Sequence, residues 1–179
     1  MQPVQHLLKD GSVLLIREAA PEDARAILDY IECISTESDF LTFGPGEFEL
    51  TEAEENDFLR KCRQADNELY LVGLINNVVA CTLHFSAGHR PRIRHTGELG
   101  LSVRMQYWNL GIGSLMLDTL IAWAQLTGFI RKLNLRVRTD NERAIALYRR
   151  KGFVTEGTIR KEIFSNGTFF DHYWMGLEL

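Results

Sequence analysis

The sequence predicts an α/β fold, a mixed central sheet of about seven strands flanked by four helices, in one domain over residues 1–179. Three observations predict it. Short runs of branched and aromatic residues alternate with longer runs whose apolar residues recur at i, i+3, i+4 and i+7. Asn76-Asn77 and Ser165-Asn166-Gly167 stand between pairs of strand-like runs, where residues that tolerate positive φ close hairpins. The length of 179 residues is that of one domain with a core large enough to need no disulfide or structural metal, and no repeat or low-complexity tract divides it.

In chain order, Ser12 to Arg17 (SVLLIR) is a strand ended by Ala20-Pro21. A helix follows from Pro21, with acidic Glu22 and Asp23 in its first turn and Ala24, Ile27, Leu28 and Ile31 on one face. The turn-rich Phe43-Gly44-Pro45-Gly46 separates it from a second helix that starts at Thr51, where Glu54 completes a capping box. Leu69 to Ile75, Val78 to Phe85 and Gly97 to Arg104 are strands, the first two joined by the Asn-Asn turn. Ser114 to Gly128 is helical, Leu133 to Val137 a strand and Asn141 to Lys151 a helix. Phe153 to Phe164 and Thr168 to Leu177 form the last hairpin.

Composition narrows the function classes. A hydrophobic share of 45% and a charged share of 25% are those of a soluble globular protein, not a disordered one. No apolar run approaches the roughly 18 residues of a membrane span, and Met1 to Lys9 lacks the pattern of a signal peptide. A cytoplasmic protein with no membrane partner is expected. Cys33, Cys62 and Cys81 are far apart and lack metal-type spacing, so they are read as buried thiols and no metal is expected. Residues 1–70 carry 6 basic and 16 acidic side chains, whereas the rest carry 14 basic and 8 acidic. An anionic cofactor would favour the second part and a cationic substrate the first, although solvated helix faces would give the same asymmetry.

The chemistry concentrates in two segments. Leu101-Ser102-Val103-Arg104-Met105-Gln106-Tyr107-Trp108-Asn109-Leu110-Gly111-Ile112-Gly113-Ser114 runs from a strand through a loop into a helix N-terminus. Unpaired backbone N–H groups and the positive end of a helix dipole suit a pyrophosphate there. Gly111 and Gly113 lack the β-carbon that would hold phosphate oxygens off the backbone. The third glycine of a dinucleotide fingerprint and the Gly-Lys-Ser/Thr of a nucleotide P-loop are both missing. About thirty residues on, Asn141-Glu142-Arg143-Ala144-Ile145-Ala146-Leu147-Tyr148 precedes Gly152-Phe153, and the seven-residue spacing of Asn141 and Tyr148 puts both near one helix face.

Strand, glycine loop, helix, strand, N-x-x-A-I-x-L-Y and a closing G-F together resemble the GCN5-related N-acetyltransferases over nearly the whole chain. The resemblance implies acetyl-CoA as acyl donor and the primary amine of a small molecule or a peptide N-terminus as acceptor. It implies that Leu101, Ser102 and Val103 pair their backbone with the pantetheine arm at a splayed sheet. The N–H groups of Trp108, Asn109, Leu110, Gly111, Ile112, Gly113 and Ser114 would hold the pyrophosphate. Asn141, with Ala144 in the same turn, would fix the coenzyme from the side, and Tyr148 would sit by the sulfur and protonate it on departure. Trp108 departs from the pattern, since many relatives carry Arg or Gln there. Ribosomal-protein acetyltransferases of the family place a base where this chain has Arg136, so that base is not carried over.

Attack requires a neutral amine, hence a base or water chain, and a donor for the oxyanion, assigned to a strand N–H near Val103. Alternation puts Glu98, Gly100 and Ser102 on one strand face, which makes Glu98 the chosen base and His84, His95 and His172 the other candidates. Trp123 and Phe129 read as core, and the basic loop His89 to His95 as solvated, with no nucleic-acid partner. A homodimer stays open. The alternative to an enzyme is a non-catalytic acetyl-CoA sensor on the same fold, against which the retained Tyr148 argues.

Overall fold

The computed structural model describes all residues, 1–179. The elements are β1 (Val4–Leu7), β2 (Val13–Glu18), α1 (Ala24–Glu37), α2 (Glu52–Gln64), β3 (Glu68–Ile75), β4 (Val78–Ala87) and β5 (Thr96–Val103). They continue with α3 (Ile112–Thr127), β6 (Lys132–Arg138), α4 (Glu142–Arg150), β7 (Val154–Ser165) and β8 (Thr168–Glu178). One mixed sheet takes the order β1-β2-β3-β4-β5-β6-β8-β7. Every neighbouring pair is antiparallel except β5 with β6.

The sheet has eight strands, one more than the sequence predicts. The addition is β1, whose Val-Gln-His-Leu is four residues long, mostly exposed and paired only with β2. So short a polar edge carries no burial alternation to read. Thr51 caps α2 as expected, its Oγ1 accepting from the Glu54 N–H at 3.3 Å while Glu54 Oε2 accepts from the Thr51 N–H at 2.9 Å. Both predicted hairpin turns have two consecutive positive φ angles, 50° and 63° at Asn76 and Asn77, 51° and 76° at Asn166 and Gly167.

The helices pack in pairs on opposite faces. Under α3 and α4 lies the larger core, including Leu14, Leu71, Leu83, Phe85, Met116, Leu117, Leu120 and Leu135. Each such fully buried side chain is worth about 1.5–3 kcal/mol. Under α1 and α2 a smaller core forms from Ile27, Tyr30, Ile31, Leu59, Cys62, Tyr70 and Val72. Cys62 and Cys81 are buried as expected, but Cys33 is only half-buried on α1.

The parallel contact between β5 and β6 is short, pairing Thr96–Glu98 with Lys132–Asn134. Asn134 closes it, its Nδ2 donating to Thr96 Oγ1 at 2.8 Å and to Gly97 C=O at 3.1 Å. Beyond that point the strands diverge into a fork. Arg138, at the end of β6 and 6% exposed, lies between the rings of Phe40 and Phe170. Its guanidinium also donates to Asp39 C=O at 2.7 Å and to the Asp140 carboxylate at 2.6 Å. The loop after α1 is thereby fastened over the fork.

Candidate active site

The fork opens into a cavity of about 780 Å³. Its two ends are built from different materials.

At one end the wall is backbone. Arg104 N–H donates to Ala80 C=O at 3.0 Å, and Gly88 N–H to Thr96 C=O at 3.3 Å. Antiparallel alternation therefore gives Gly100 and Ser102 to the β4 ladder and turns the N–H and C=O groups of Leu99, Leu101 and Val103 into the fork. Of the three residues expected to meet the pantetheine arm, Leu101 and Val103 present their backbone. Ser102 instead belongs to β4, and its Oγ meets Tyr30 Oη at 2.8 Å. Val103 C=O is already taken by the Trp108 indole N–H at 2.7 Å, leaving its N–H as the free donor.

In the loop, Trp108 N–H bonds back to Met105 C=O at 3.1 Å and Ser114 N–H to Gly111 C=O at 3.0 Å. Between these engaged ends, the N–H groups of Asn109, Leu110, Gly111, Ile112 and Gly113 have no backbone acceptor. Five consecutive donors at the N-terminus of α3 form an anion cradle. The two glycines stand in different surroundings. Gly111 sits at φ 88° with open space where a β-carbon would point, so its role is the left-handed turn. A β-carbon on Gly113 would lie 2.9 Å from Leu147, so that glycine allows α3 to approach α4. Leu110 packs its side chain on the core, while the other loop residues from Trp108 to Ser114 line the cavity.

Asn141 caps α4, its Oδ1 accepting from Ala144 N–H at 3.1 Å, which leaves Nδ2 to face the cavity that both residues line. The Arg143 guanidinium stacks over the Trp108 ring at 3.4 Å. A cation from α4 thus stands over Trp108. Tyr148 lines the cavity against Phe153, ring centroids 5.8 Å apart, and burial pushes its phenol up to about 12. It stays protonated and available as a donor at neutral pH.

The other end is made of side chains from α1, α2, β3 and β4. His84 stacks on Tyr70 at 5.5 Å and meets the edge of Phe58 at 5.3 Å. Its Nε2 lies 3.9 Å from Glu68 Oε2 and 3.9 Å from Cys62 Sγ. Burial lowers the imidazole's pKa against the opposing pull of Glu68, so His84 is neutral at neutral pH. The Cys62 thiol, pushed up to about 12 first by burial and then by Glu68, donates to Glu68 at 3.2 Å. Gly100 stands opposite His84 in register, and no atom lies within 4 Å of where its β-carbon would be.

Glu98 does not join this constellation. It is absent from the cavity lining, and its Oε1 accepts from Arg136 Nε at 2.7 Å while Arg136 also holds Glu162 at 2.8 Å. His95 and His172 do not line the cavity either, nor does any residue of the basic loop, where Arg94 stacks on Phe129 at 4.2 Å and pairs with Asp66. Trp123 and Phe129, read as core, are only partly buried and pack against it, Trp123 on the edge of Phe85.

Sequence reasoning missed Glu55, which lines the cavity from α2 and is 2% exposed. Its signal was present: Glu55, Phe58, Leu59 and Cys62 occupy i, i+3, i+4 and i+7, so the carboxylate falls on the helix's inward face.

The chain resembles known proteins in both sequence and fold. Residues 31–153 match the acetyltransferase (GNAT) family. Over 105 residues the chain is 31% identical to the L-amino acid N-acetyltransferase AaaT of Escherichia coli, covering 59% of this chain and 65% of that one. The match thus spans slightly less than two thirds of that curated relative. An acetyltransferase of the GNAT family from Streptococcus pneumoniae is similar at a TM-score of 0.90 and 38% identity, over 93% of this chain and 99% of that one. Salmonella typhimurium yncA, solved with its cofactor acetyl-CoA, shares the fold at a TM-score of 0.80 and 21% identity, over 93% and 94% of the two chains.

Proposed function

Because the chain belongs to the acetyltransferase (GNAT) family, we propose that it moves the acetyl group of acetyl-CoA to the primary amine of a small molecule or a peptide N-terminus, by direct attack in a ternary complex. The observation that carries this is the run of five free N–H groups from Asn109 to Gly113, opening into the same cavity as the unpaired edge of β5 and Tyr148. A pyrophosphate fits the donors, and an extended amide-bearing arm fits the free edge as an added strand. Similarity to a relative that acts on L-amino acids favours a small acceptor.

Acetyl-CoA supplies the activated acyl group as a thioester. Val103 N–H, free and aimed into the fork, donates to the acyl oxygen as charge develops on it. Tyr148 donates a hydrogen bond toward the sulfur. Complete proton transfer from a phenol at about 12 to a thiolate of about 8.5 is uphill, so this donation stabilises the departing charge while the sulfur leaves. His84, neutral and lining the cavity, takes the amine's proton in preference to Glu98, which is tied to Arg136. With Nε2 turned to Glu68 and Cys62, Nδ1 is the nitrogen left to accept it.

Thermal unfolding and a free-thiol assay over an amine panel test the reading. Acetyl-CoA should raise the melting temperature, and at least one amine should release thiol catalytically. A protein unmoved by acetyl-CoA is not an acetyl-CoA-dependent transferase, and one that is stabilised but releases no thiol with any amine is a sensor.

A further inference from the structure

Glu55 is the one acidic side chain in the molecule that is both buried and without a partner. Its Oε1 is shielded from solvent and makes no hydrogen bond, and burial is the sole influence on its ionisation. Every cationic partner that acidic groups find elsewhere is missing here: Arg17 holds Asp23, Arg104 holds Glu37, Arg136 holds Glu98 and Glu162, and Arg138 holds Asp140. The ionisable groups whose charge Glu55 influences, Cys62 on its own helix and Tyr70 on β3, are both neutral at neutral pH. A buried carboxylate left alone is costly, and such a cost persists where a ligand relieves it.

The surroundings fit a cation. Glu55 shares the cavity wall with the rings of Phe58 and Tyr70, whose faces attract an ammonium. The reacting nitrogen is a poor occupant, because an adjacent carboxylate stabilises the protonated amine and opposes the deprotonation that attack requires. The group held by Glu55 must therefore be a second cation on the same acceptor.

We infer that Glu55 anchors a non-reacting ammonium of the acceptor, so that the preferred substrates are small diamines and basic amino acids whose other amine is acetylated. This rests on the acetyl-transfer reading for which amine reacts, but the binding of the second cation can be measured without turnover.

Thermal unfolding in the presence of coenzyme A, which cannot donate an acetyl group, compares diaminobutane with butylamine as probes. Wild-type protein should bind diaminobutane at least about tenfold more tightly, and Glu55→Gln should reduce the two affinities to within about twofold of each other. The shift produced by coenzyme A itself verifies that the variant is folded. Equal affinities in the wild type, or a diamine preference that survives in Glu55→Gln, would overturn the assignment. In steady state with acetyl-CoA, the same substitution should raise KM for the diamine with a much smaller change in kcat. A loss confined to kcat would make Glu55 a base and overturn its anchoring role. Diamine binding without thiol release would leave the anchor standing and remove the transferase reading.

Discussion

The proposed coenzyme end and the proposed acceptor end of the cavity offer a charged guest opposite kinds of wall. The first presents main-chain N–H groups fixed by a helix N-terminus and a diverging strand, and its side chains serve chiefly to set backbone geometry. At the acceptor end the contacts are side chains from four elements, and the backbone behind them is already paired within the sheet. A backbone site should tolerate changes in side-chain identity and fail when the turn cannot form. A side-chain site should behave in reverse, losing selectivity one group at a time while the fold persists.

The largest effect should fall where the two ends meet. Tyr148→Phe removes the hydrogen bond to the departing sulfur and should lower kcat by about 10²–10³-fold while the thermal shift with acetyl-CoA persists. A full-rate variant would mean that no hydrogen bond from Tyr148 assists the departing sulfur. Next, His84→Gln should lower kcat by about 10²-fold. Neutral imidazole is the active form, so the wild-type rate should climb with pH through a folded pKa below 6.5, and this limb should vanish in the variant. Should Glu98→Gln abolish the limb and His84→Gln preserve it, the base would lie outside the side-chain end altogether.

A smaller effect is expected from Gly111→Ala, which forces a β-carbon into left-handed backbone at a cost of about 1–2 kcal/mol. It should lower both the melting temperature and the affinity for acetyl-CoA. Arg143→Gln, by contrast, removes only the charge stacked on Trp108 and should weaken coenzyme binding by less than about thirtyfold, as measured by calorimetry. A thousandfold loss would show that the coenzyme end depends on that side chain, and the contrast would collapse.

The smallest effect concerns stability. Burial raises the Glu55 pKa above 4.5, so the folded chain retains a proton that the unfolded chain gives up. Stability is then greatest below the unfolded value and declines as pH rises toward the folded one. Glu55→Gln should remove that decline, raising the melting temperature at about pH 8 by up to about 4 °C and leaving it unchanged near pH 4. A variant that gained nothing at the higher pH would show that Glu55 ionises without penalty.

The same division governs what can be read in the sequence. The order of strands and helices was legible because periodicity, the Thr51 cap and the two hairpin turns are local signals. The loop from Trp108 to Ser114 was legible because a site made of backbone leaves its mark as spacing and glycine. The purposes of those glycines were not, since the contact of Gly113 with Leu147 joins residues far apart in the chain. Glu98 was chosen from strand alternation, which assigns a face but cannot show that Arg136 reaches across from β6. Glu55 stood on the inward face of an amphipathic helix, and only packing showed that nothing would meet it.

The clasp of Arg138 carries a mechanical consequence. Its guanidinium ties together three points of the chain: the loop after α1 through Phe40 and Asp39, the approach to α4 through Asp140, and β8 through Phe170. Asn141, which caps α4 and lines the cavity, follows Asp140 directly. A displacement of that loop would therefore pull on the same guanidinium that fastens the approach to α4. Under the proposed reading that guanidinium gears one end of the cavity to the other, and a chain loosened at Arg138 would load acetyl-CoA and amine independently.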